Sequence, residues 1–163
     1  MNKAYLLLGG NTGNRLQNLE TARKRLGTDC GRVLKLSSVY ETAAWGREDQ
    51  PAFLNQVVCL ETGLTAKTLL YTVLGIEAEM GRIREEKYAP RTIDIDILFF
   101  NNEIINMPGL TVPHPQIQHR RFVLEPMAEI APGKVHPVLH KTMKDLLEIC
   151  PDQLAVKRLG PAV

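Results

Sequence analysis

Residues 4–8 form an unbroken apolar run that ends at Gly9 and Gly10. A run of that length, bounded by glycine, predicts a short buried strand. Asn14 then precedes apolar residues at helical spacing: Leu16, Leu19, Ala22 and Leu26. Asn14 with Gln17 predicts an N-cap and its capping-box partner, and Gly27 predicts the stop. Residues 32–40 and 53–62 read as the next two strands, the later one rich in apolar and β-branched positions. Thr65 predicts a second cap, ahead of a helix with the apolar stripe Leu69, Leu70, Val73, Leu74 and Met80. Residues 92–100 alternate as a half-buried strand does. Beyond them Pro108, Pro113, Pro115, Pro126, Pro132 and Pro137 predict a mostly irregular segment, with one late helix near residues 142–149.

The order strand, helix, strand, strand, helix, strand predicts one α+β domain over residues 1–163. It is the pattern of a ferredoxin-like split βαβ sandwich, an antiparallel sheet with helices on one face, here with a C-terminal extension. Many unrelated functions use that fold, so the function has to be read from a site. Two polar stretches, residues 43–51 and 82–90, interrupt the pattern. Neither carries enough apolar surface to offset roughly 1–2 kcal/mol of backbone entropy per ordered residue. Both are expected to be mobile without ligands and to order when ligands bind.

Composition narrows the class without naming it. The chain has 163 residues and a formal net charge of +2. A chain of this length buries roughly 70% of its unfolded surface and needs no disulfide or structural metal. The small net charge gives no nucleic-acid footprint. The cysteines Cys30, Cys59 and Cys150 form no C-x-x-C pair, and Cys59 sits in an apolar run as a buried small hydrophobe would. No stretch approaches the roughly 20 apolar residues of a membrane span, and the N-terminus does not read as a signal peptide. A cytoplasmic protein is expected.

The chemistry concentrates in a few places. In Thr92-Ile93-Asp94-Ile95-Asp96-Ile97 the isoleucines face one way, into the core, and Asp94 and Asp96 face the other. The carboxylates lie roughly 6.6 Å apart along the strand. Two like charges this close are unfavourable unless a cation lies between them. Magnesium suits such a pair, because it binds through one or two carboxylates plus substrate phosphates. A solvated polar face is the alternative. Glu77 falls on an apolar stripe, where a carboxylate needs a partner; it either serves the same metal or frays outward. Arg82, Arg84 and Arg91, with Lys87, adjoin the acidic strand. Guanidinium forks beside a magnesium site are what phosphoryl transfer requires. An exposed charged loop paired with Glu85 and Glu86 is the competing reading for Arg84 and Lys87. Phe53 and Asn55 share a strand face, an aromatic beside an amide, which suits a flat hydrogen-bonding heterocycle or plain core packing. His114, between Pro113 and Pro115, and Arg120 are candidate phosphate ligands or structural groups. The GGNTGN segment lacks the Gly-Lys-Ser/Thr of a Walker A loop and reads as a strand-to-helix turn.

Taken together, GGN, SSVYET, QPAFLNQV, IEAEMGRIR, APRTIDIDIL and LTVPHPQIQHRRFVLEPMAEIAP resemble the pterin pyrophosphokinase family, in family order across residues 5–132. The combination of PRTIDIDIL with VPHP and the following arginine and phenylalanine is the specific part. The resemblance implies pyrophosphoryl transfer from ATP to the hydroxymethyl group of 6-hydroxymethyl-7,8-dihydropterin, with AMP as the other product, in folate biosynthesis. It implies that Asp94 and Asp96 hold two magnesium ions bridging the ATP phosphates. It places Thr42, Ala43, Trp45, Phe53, Asn55 and Phe122 at the pterin, with the two phenylalanines sandwiching the ring. Arg82 and Arg91 would stabilise charge on the transferring group, and Asp96 would be available to accept the hydroxyl proton. Glu77, Arg84, His114 and Arg120 would belong to the ATP site. The chain departs from the family pattern at GGN for GSN, at Ala43 and Ala44 for proline, at Trp45 for leucine and at Leu74 for a polar residue.

Two other readings compete. A nucleotidyltransferase on a D-x-D ferredoxin-like strand would release pyrophosphate rather than AMP. An RRM-like nucleic-acid module would need an aromatic signature that is absent, and Asp94 with Asp96 would repel RNA. The expected partners are therefore ATP and the pterin, with no nucleic acid and no membrane, acting on a monofunctional monomer.

Overall fold

The structure, a computed structural model, describes residues 1–43, 50–81 and 92–160. The elements run β1 Asn2–Gly10, α1 Arg15–Asp29, β2 Arg32–Leu36, β3 Tyr40–Thr42, β4 Phe53–Thr62, α2 Ala66–Gly81 and β5 Asp94–Phe100. They continue with β6 Ile105–Met107, β7 Leu110–Val112, a 3₁₀ turn at Ile117–His119, α3 Arg121–Ile130, α4 Met143–Glu148 and β8 Val156–Arg158. The result is a mixed α/β protein with an antiparallel sheet and, among the described residues, four α-helices. The sheet order is β5-β1-β4-β3-β8, with β2 also paired to β4. The short β6 and β7 form a separate hairpin. No helix among the described residues is long and apolar enough to cross a membrane.

The local signals largely act as their chemistry requires. The Asn14 side chain accepts a hydrogen bond from the Gln17 amide at 3.1 Å, and Thr65 Oγ1 accepts one from the Thr68 amide at 3.2 Å. Each satisfies one orphan donor of a first turn, worth about 1 kcal/mol. Gly27 does not stop α1, which runs on to Asp29 and closes with the Cys30 amide donating to the Leu26 carbonyl. Leu16 and Leu74, assigned to apolar stripes by spacing, point outward at 58% and 45% exposure. The inward stripes are Leu19, Ala22 and Leu26 on α1, and Leu69, Val73 and Ile76 on α2.

Side chains of β1 divide between two cores, as alternation demands. Ala4, Leu6 and Leu8 join the inward faces of α1 and α2 with Ile93, Ile95 and Ile97. Tyr5 and Leu7 join Val57, Cys59, Phe99, Val123, Leu124, Met127 and Leu146 on the opposite side. Helices therefore cover both faces of the sheet rather than one. The segment expected to be mostly irregular supplies α3, and Pro126 inside it is what hid the helix. An interior proline costs roughly 3 kcal/mol by deleting one backbone bond. Burial of Val123, Leu124, Met127 and Pro126 itself offsets that cost.

The strand read as residues 32–40 breaks into β2 and β3 at Ser37 and Ser38, which are fully buried. Ser37 Oγ donates to the Ser38 carbonyl and accepts from the Val57 amide, so the jog leaves no backbone group stranded. The Glu129 carboxylate on α3 accepts from the Ser38 amide at 2.8 Å, the Ser38 hydroxyl at 2.7 Å and the Tyr40 hydroxyl at 2.9 Å. It also pairs with Arg158 at 3.0 Å, so one side chain ties α3 to β3 and β8.

Burial alone would raise the Glu129 pKa, but the Ser38 and Tyr40 hydrogen bonds and Arg158 more than reverse it, and the net shift is downward. A carboxyl depressed in the folded state contributes stability above its unfolded pKa and loses it as pH falls through the folded one. Glu129→Gln is expected to cost about 2 kcal/mol at neutral pH. The gap to the native protein should close as pH falls below about 4. Urea melts at both pH values test this; a gap that does not change with pH would assign the loss to packing instead.

Candidate active site

The sheet face that carries α3 also carries a cavity of about 640 Å³. Its lining gathers Thr42, Ala43, Phe53, Asn55, Asp94, Asp96, Arg120 and Phe122, residues spread over three strands and the start of α3. Pairing registers explain how. Asn55 on β4 lies opposite Gly9 on β1, and Gly9 lies opposite Asp94 on β5. One row across the sheet thus reads amide, no side chain, carboxylate. With strands about 4.8 Å apart, Asn55 and Asp94 stand roughly 10 Å from each other across an open floor. The next row on that face is Val57, Leu7 and Asp96.

Little room is left beside the glycines that end β1. A Cβ at Gly9 would lie 2.6 Å from Asn55 Oδ1, and one at Gly10 would lie 2.6 Å from the Thr92 carbonyl. The glycines read as a turn are the last two residues of β1, and they let neighbouring groups approach closer than any side chain permits.

Two lining groups are unusual in energy. Thr42 is 4% exposed, as is Asn55. Thr42 Oγ1 and Asn55 Nδ2 are both buried with no hydrogen-bond partner among the described residues. A buried polar atom left unpaired costs about 1–3 kcal/mol. Two of them in one cavity mark a surface built to meet a polar ligand rather than to pack.

The acidic strand behaves as alternation predicts as far as Ile97. Asp94 and Asp96 are half-buried on the cavity face, and Ile93, Ile95 and Ile97 are buried on the other. The register then slips between Tyr5 and Leu6, leaving Leu98 as an extra residue. This bulge sends Leu98 and Phe99 to the same core. The Leu98 carbonyl, at the bulge, accepts the His114 amide at 3.0 Å and so brings the proline-rich segment beside the carboxylates. His114 Nδ1 accepts from the Gln116 amide at 3.1 Å, which leaves Nε2 as the donor of the neutral ring. Burial lowers the His114 pKa, the Asp96 charge opposes that shift, and Arg120 adds to it. The Val112–Pro113 peptide bond is cis.

Glu77 neither lines the cavity nor frays outward. Its Oε2 accepts the Ile95 amide at 2.7 Å, so it covers the outer edge of β5 between the two aspartates. His114 also stands outside the lining, close enough to Asp96 and Arg120 to feel both charges. Arg120 stacks over the Phe122 ring, 5.7 Å from its centroid. Trp45, Arg82, Arg84 and Arg91 lie outside the described residues, as do most of the two polar loops. Sequence reasoning missed Leu7, Gly9, Gln116, His119, Pro151, Asp152 and Leu154, all of which line the cavity. Gly9 had a usable signal, since glycine inside a strand marks close approach. The C-terminal residues had none, because only the tertiary fold brings them there.

The donor set fits a divalent cation of one kind. Among the described residues no three His, Cys, Asp or Glu side chains converge to cage a metal ion. Two carboxylates facing a cavity instead suit a hard cation that takes its other ligands from water and phosphate.

Known proteins resemble this chain in sequence and in fold. The model of the 7,8-dihydro-6-hydroxymethylpterin-pyrophosphokinase family matches residues 5–132. A 2-amino-4-hydroxy-6-hydroxymethyldihydropteridine pyrophosphokinase from Synechocystis sp. is 45% identical over 146 residues, covering 89% of this chain and 74% of the relative. The protein of that name from Aquifex aeolicus is 40% identical over 145 residues, covering 89% and 90%. The folic acid synthesis protein fol1 of Schizosaccharomyces pombe is 39% identical over 151 residues, but these span only 21% of that longer protein. Among solved structures, a triple-mutant HPPK-DHPS from Plasmodium falciparum superposes with a TM-score of 0.76 at 21% identity, over 90% of this chain and 43% of that one. That likeness speaks to the fold, while the family match and the sequence relatives decide membership: this chain belongs to the 7,8-dihydro-6-hydroxymethylpterin-pyrophosphokinase family.

Proposed function

We propose that the chain transfers pyrophosphate from ATP to the hydroxymethyl group of 6-hydroxymethyl-7,8-dihydropterin, releasing AMP, as a step of folate synthesis. The observation that carries this reading is the cavity itself. Two polar atoms without a partner among the described residues, Thr42 Oγ1 and Asn55 Nδ2, share it with the paired carboxylates Asp94 and Asp96. One end suits a flat heterocycle with hydrogen-bonding edges, and the other suits a cation on a polyphosphate. The names of the sequence relatives support the same substrates. The strand order β5-β1-β4-β3 supports the ferredoxin-like frame, with α3 and α4 added on one face and β8 added at the sheet edge.

Phe53 and Phe122 line the same cavity and are suited to sandwich the pterin ring, while Thr42 and Asn55 bond its edge. Asp94 and Asp96 would hold magnesium, two ions by family resemblance, which supplies charge neutralisation on the ATP phosphates. Arg82, Arg84, Arg91, His114 and Arg120 complete the phosphate side in this reading. Glu77 acts indirectly, by fixing the β5 backbone between the two carboxylates. The pterin hydroxyl oxygen attacks the β-phosphorus, the bond from that phosphorus to the α-phosphate oxygen breaks, and AMP leaves. Alignment of two bound substrates can remove about 7–11 kcal/mol of such a barrier. Asp96 is available to take the hydroxyl proton.

Product analysis tests the reaction. The protein with ATP, magnesium and the pterin should release one AMP for each pterin consumed. Release of ADP would mean transfer of a single phosphoryl group, and release of pyrophosphate would mean nucleotidyl transfer; either result overturns the proposal. The floor makes a separate prediction. Gly9→Ala drives a methyl group against Asn55 and should weaken pterin binding by about tenfold or more. ATP affinity should stay within about twofold, since the clash touches only the amide. Calorimetry with each ligand checks this, and equal losses for both would mean that β1 as a whole has shifted.

A further inference from the structure

We infer that the C-terminal segment completes the pterin end of the cavity, and that Asp152 is a positioning residue that sets Phe122 and Arg120 through the first backbone amide of α3. The inference rests on the pterin reading above. Helix α3 begins without a local cap: its N-cap residue is Arg120, which makes no side-chain cap bond. The first-turn N–H groups of a helix need acceptors. The Arg121 amide finds one 31 residues away, donating to Asp152 Oδ2 at 3.0 Å. The other carboxylate oxygen, Oδ1, accepts the Leu154 amide at 2.9 Å, so the acceptor is itself held in place. Arg121 bonds back, with Nε donating to the Asp152 carbonyl at 3.0 Å and Nη2 to the Cys150 carbonyl at 3.4 Å. A carboxylate at this end of a helix also meets the positive pole of its dipole.

The latch matters because of what lies on either side of it. Arg120 and Phe122 flank Arg121, and both line the cavity. Pro151, Asp152 and Leu154 line it too. Four residues after Asp152, Val156 pairs with Thr42, the opposite polar group of the site. One short stretch therefore braces both walls of the cavity at once. A tail that served stability alone could cap α3 without forming part of the lining.

A double-mutant cycle on the full chain tests this. Pterin affinity is measured for the native protein, Asp152→Ala, Phe122→Ala and the double variant, with magnesium and a non-hydrolysable ATP analogue present and well below each melting temperature. Asp152→Ala should weaken pterin binding on the order of tenfold. The double variant should bind no more weakly than Phe122→Ala alone, because Asp152 acts through Phe122. Multiplied losses in the double variant would overturn the inference, and so would native-like binding by Asp152→Ala. A native protein that does not bind the pterin would overturn the substrate reading itself, an outcome visible before any variant is made. Should Asp152→Ala not fold, Asp152→Asn keeps one acceptor and carries the same cycle with a smaller loss.

Discussion

Asp94→Ala and Asp96→Ala should each lower turnover by about a thousandfold or more while leaving the protein folded. The reasoning begins with alternation on β5, which turns both carboxylates to the cavity and both neighbouring isoleucines to the core. The aspartates are half-buried and lie two residues apart on one face. With no cation between them they repel, so deleting Asp96 should leave the melting temperature in a chelating buffer equal or higher. Packing is not at stake, because Ile93, Ile95 and Ile97 provide the strand's buried contacts. Magnesium with ATP should raise the melting temperature of the native protein and not that of either variant, since a ligand stabilises only the state that binds it. A marked drop in stability would make the pair structural and would remove the metal reading.

Asn55→Ala should separate the two substrates. Its amide nitrogen is buried and has no partner among the described residues, so truncation removes an unfavourable group as well as a ligand. Pterin affinity should fall by about 1–3 kcal/mol, or roughly fivefold to 150-fold. ATP affinity should be nearly unchanged, and thermal stability should not fall. This combination is hard to produce by damage to the fold, which would lower all three. Calorimetry with each ligand and a melting curve settle it, and equal losses for pterin and ATP would place Asn55 in the scaffold.

What could be read from the sequence follows from the range of each interaction. Strand β4 was legible from end to end because its signal, eight successive apolar and amide positions from Phe53 to Leu60, is local. The caps at Asn14 and Thr65 were legible for the same reason. The carboxylate pair needed only the period of a strand. Helix α3 was not legible, because a proline inside it is outweighed by tertiary burial that no local window contains. Leu16 lies in the first turn of α1 and Leu74 one position past Val73, and spacing alone cannot say how far along or across a stripe the core will reach. Glu77 looked like either a ligand or a frayed end. Its hydrogen bond from a strand amide 18 residues on depends on α2 lying along the edge of β5. The contribution of Asp152 depends on pairing across 31 residues and leaves no local trace.

In the proposed reaction the pterin oxygen attacks the β-phosphorus and not the α-phosphorus. The most direct measurement follows that oxygen. Pterin carrying ¹⁸O in its hydroxymethyl group is converted with unlabelled ATP, magnesium and the native protein, and the products are weighed by mass spectrometry. The expected result is label confined to the pterin diphosphate, at the bond joining pterin to phosphorus, with AMP unlabelled and equal in amount. Label in a pterin–adenylate ester, with pyrophosphate released, would place the attack on the α-phosphorus and contradict the proposed reaction.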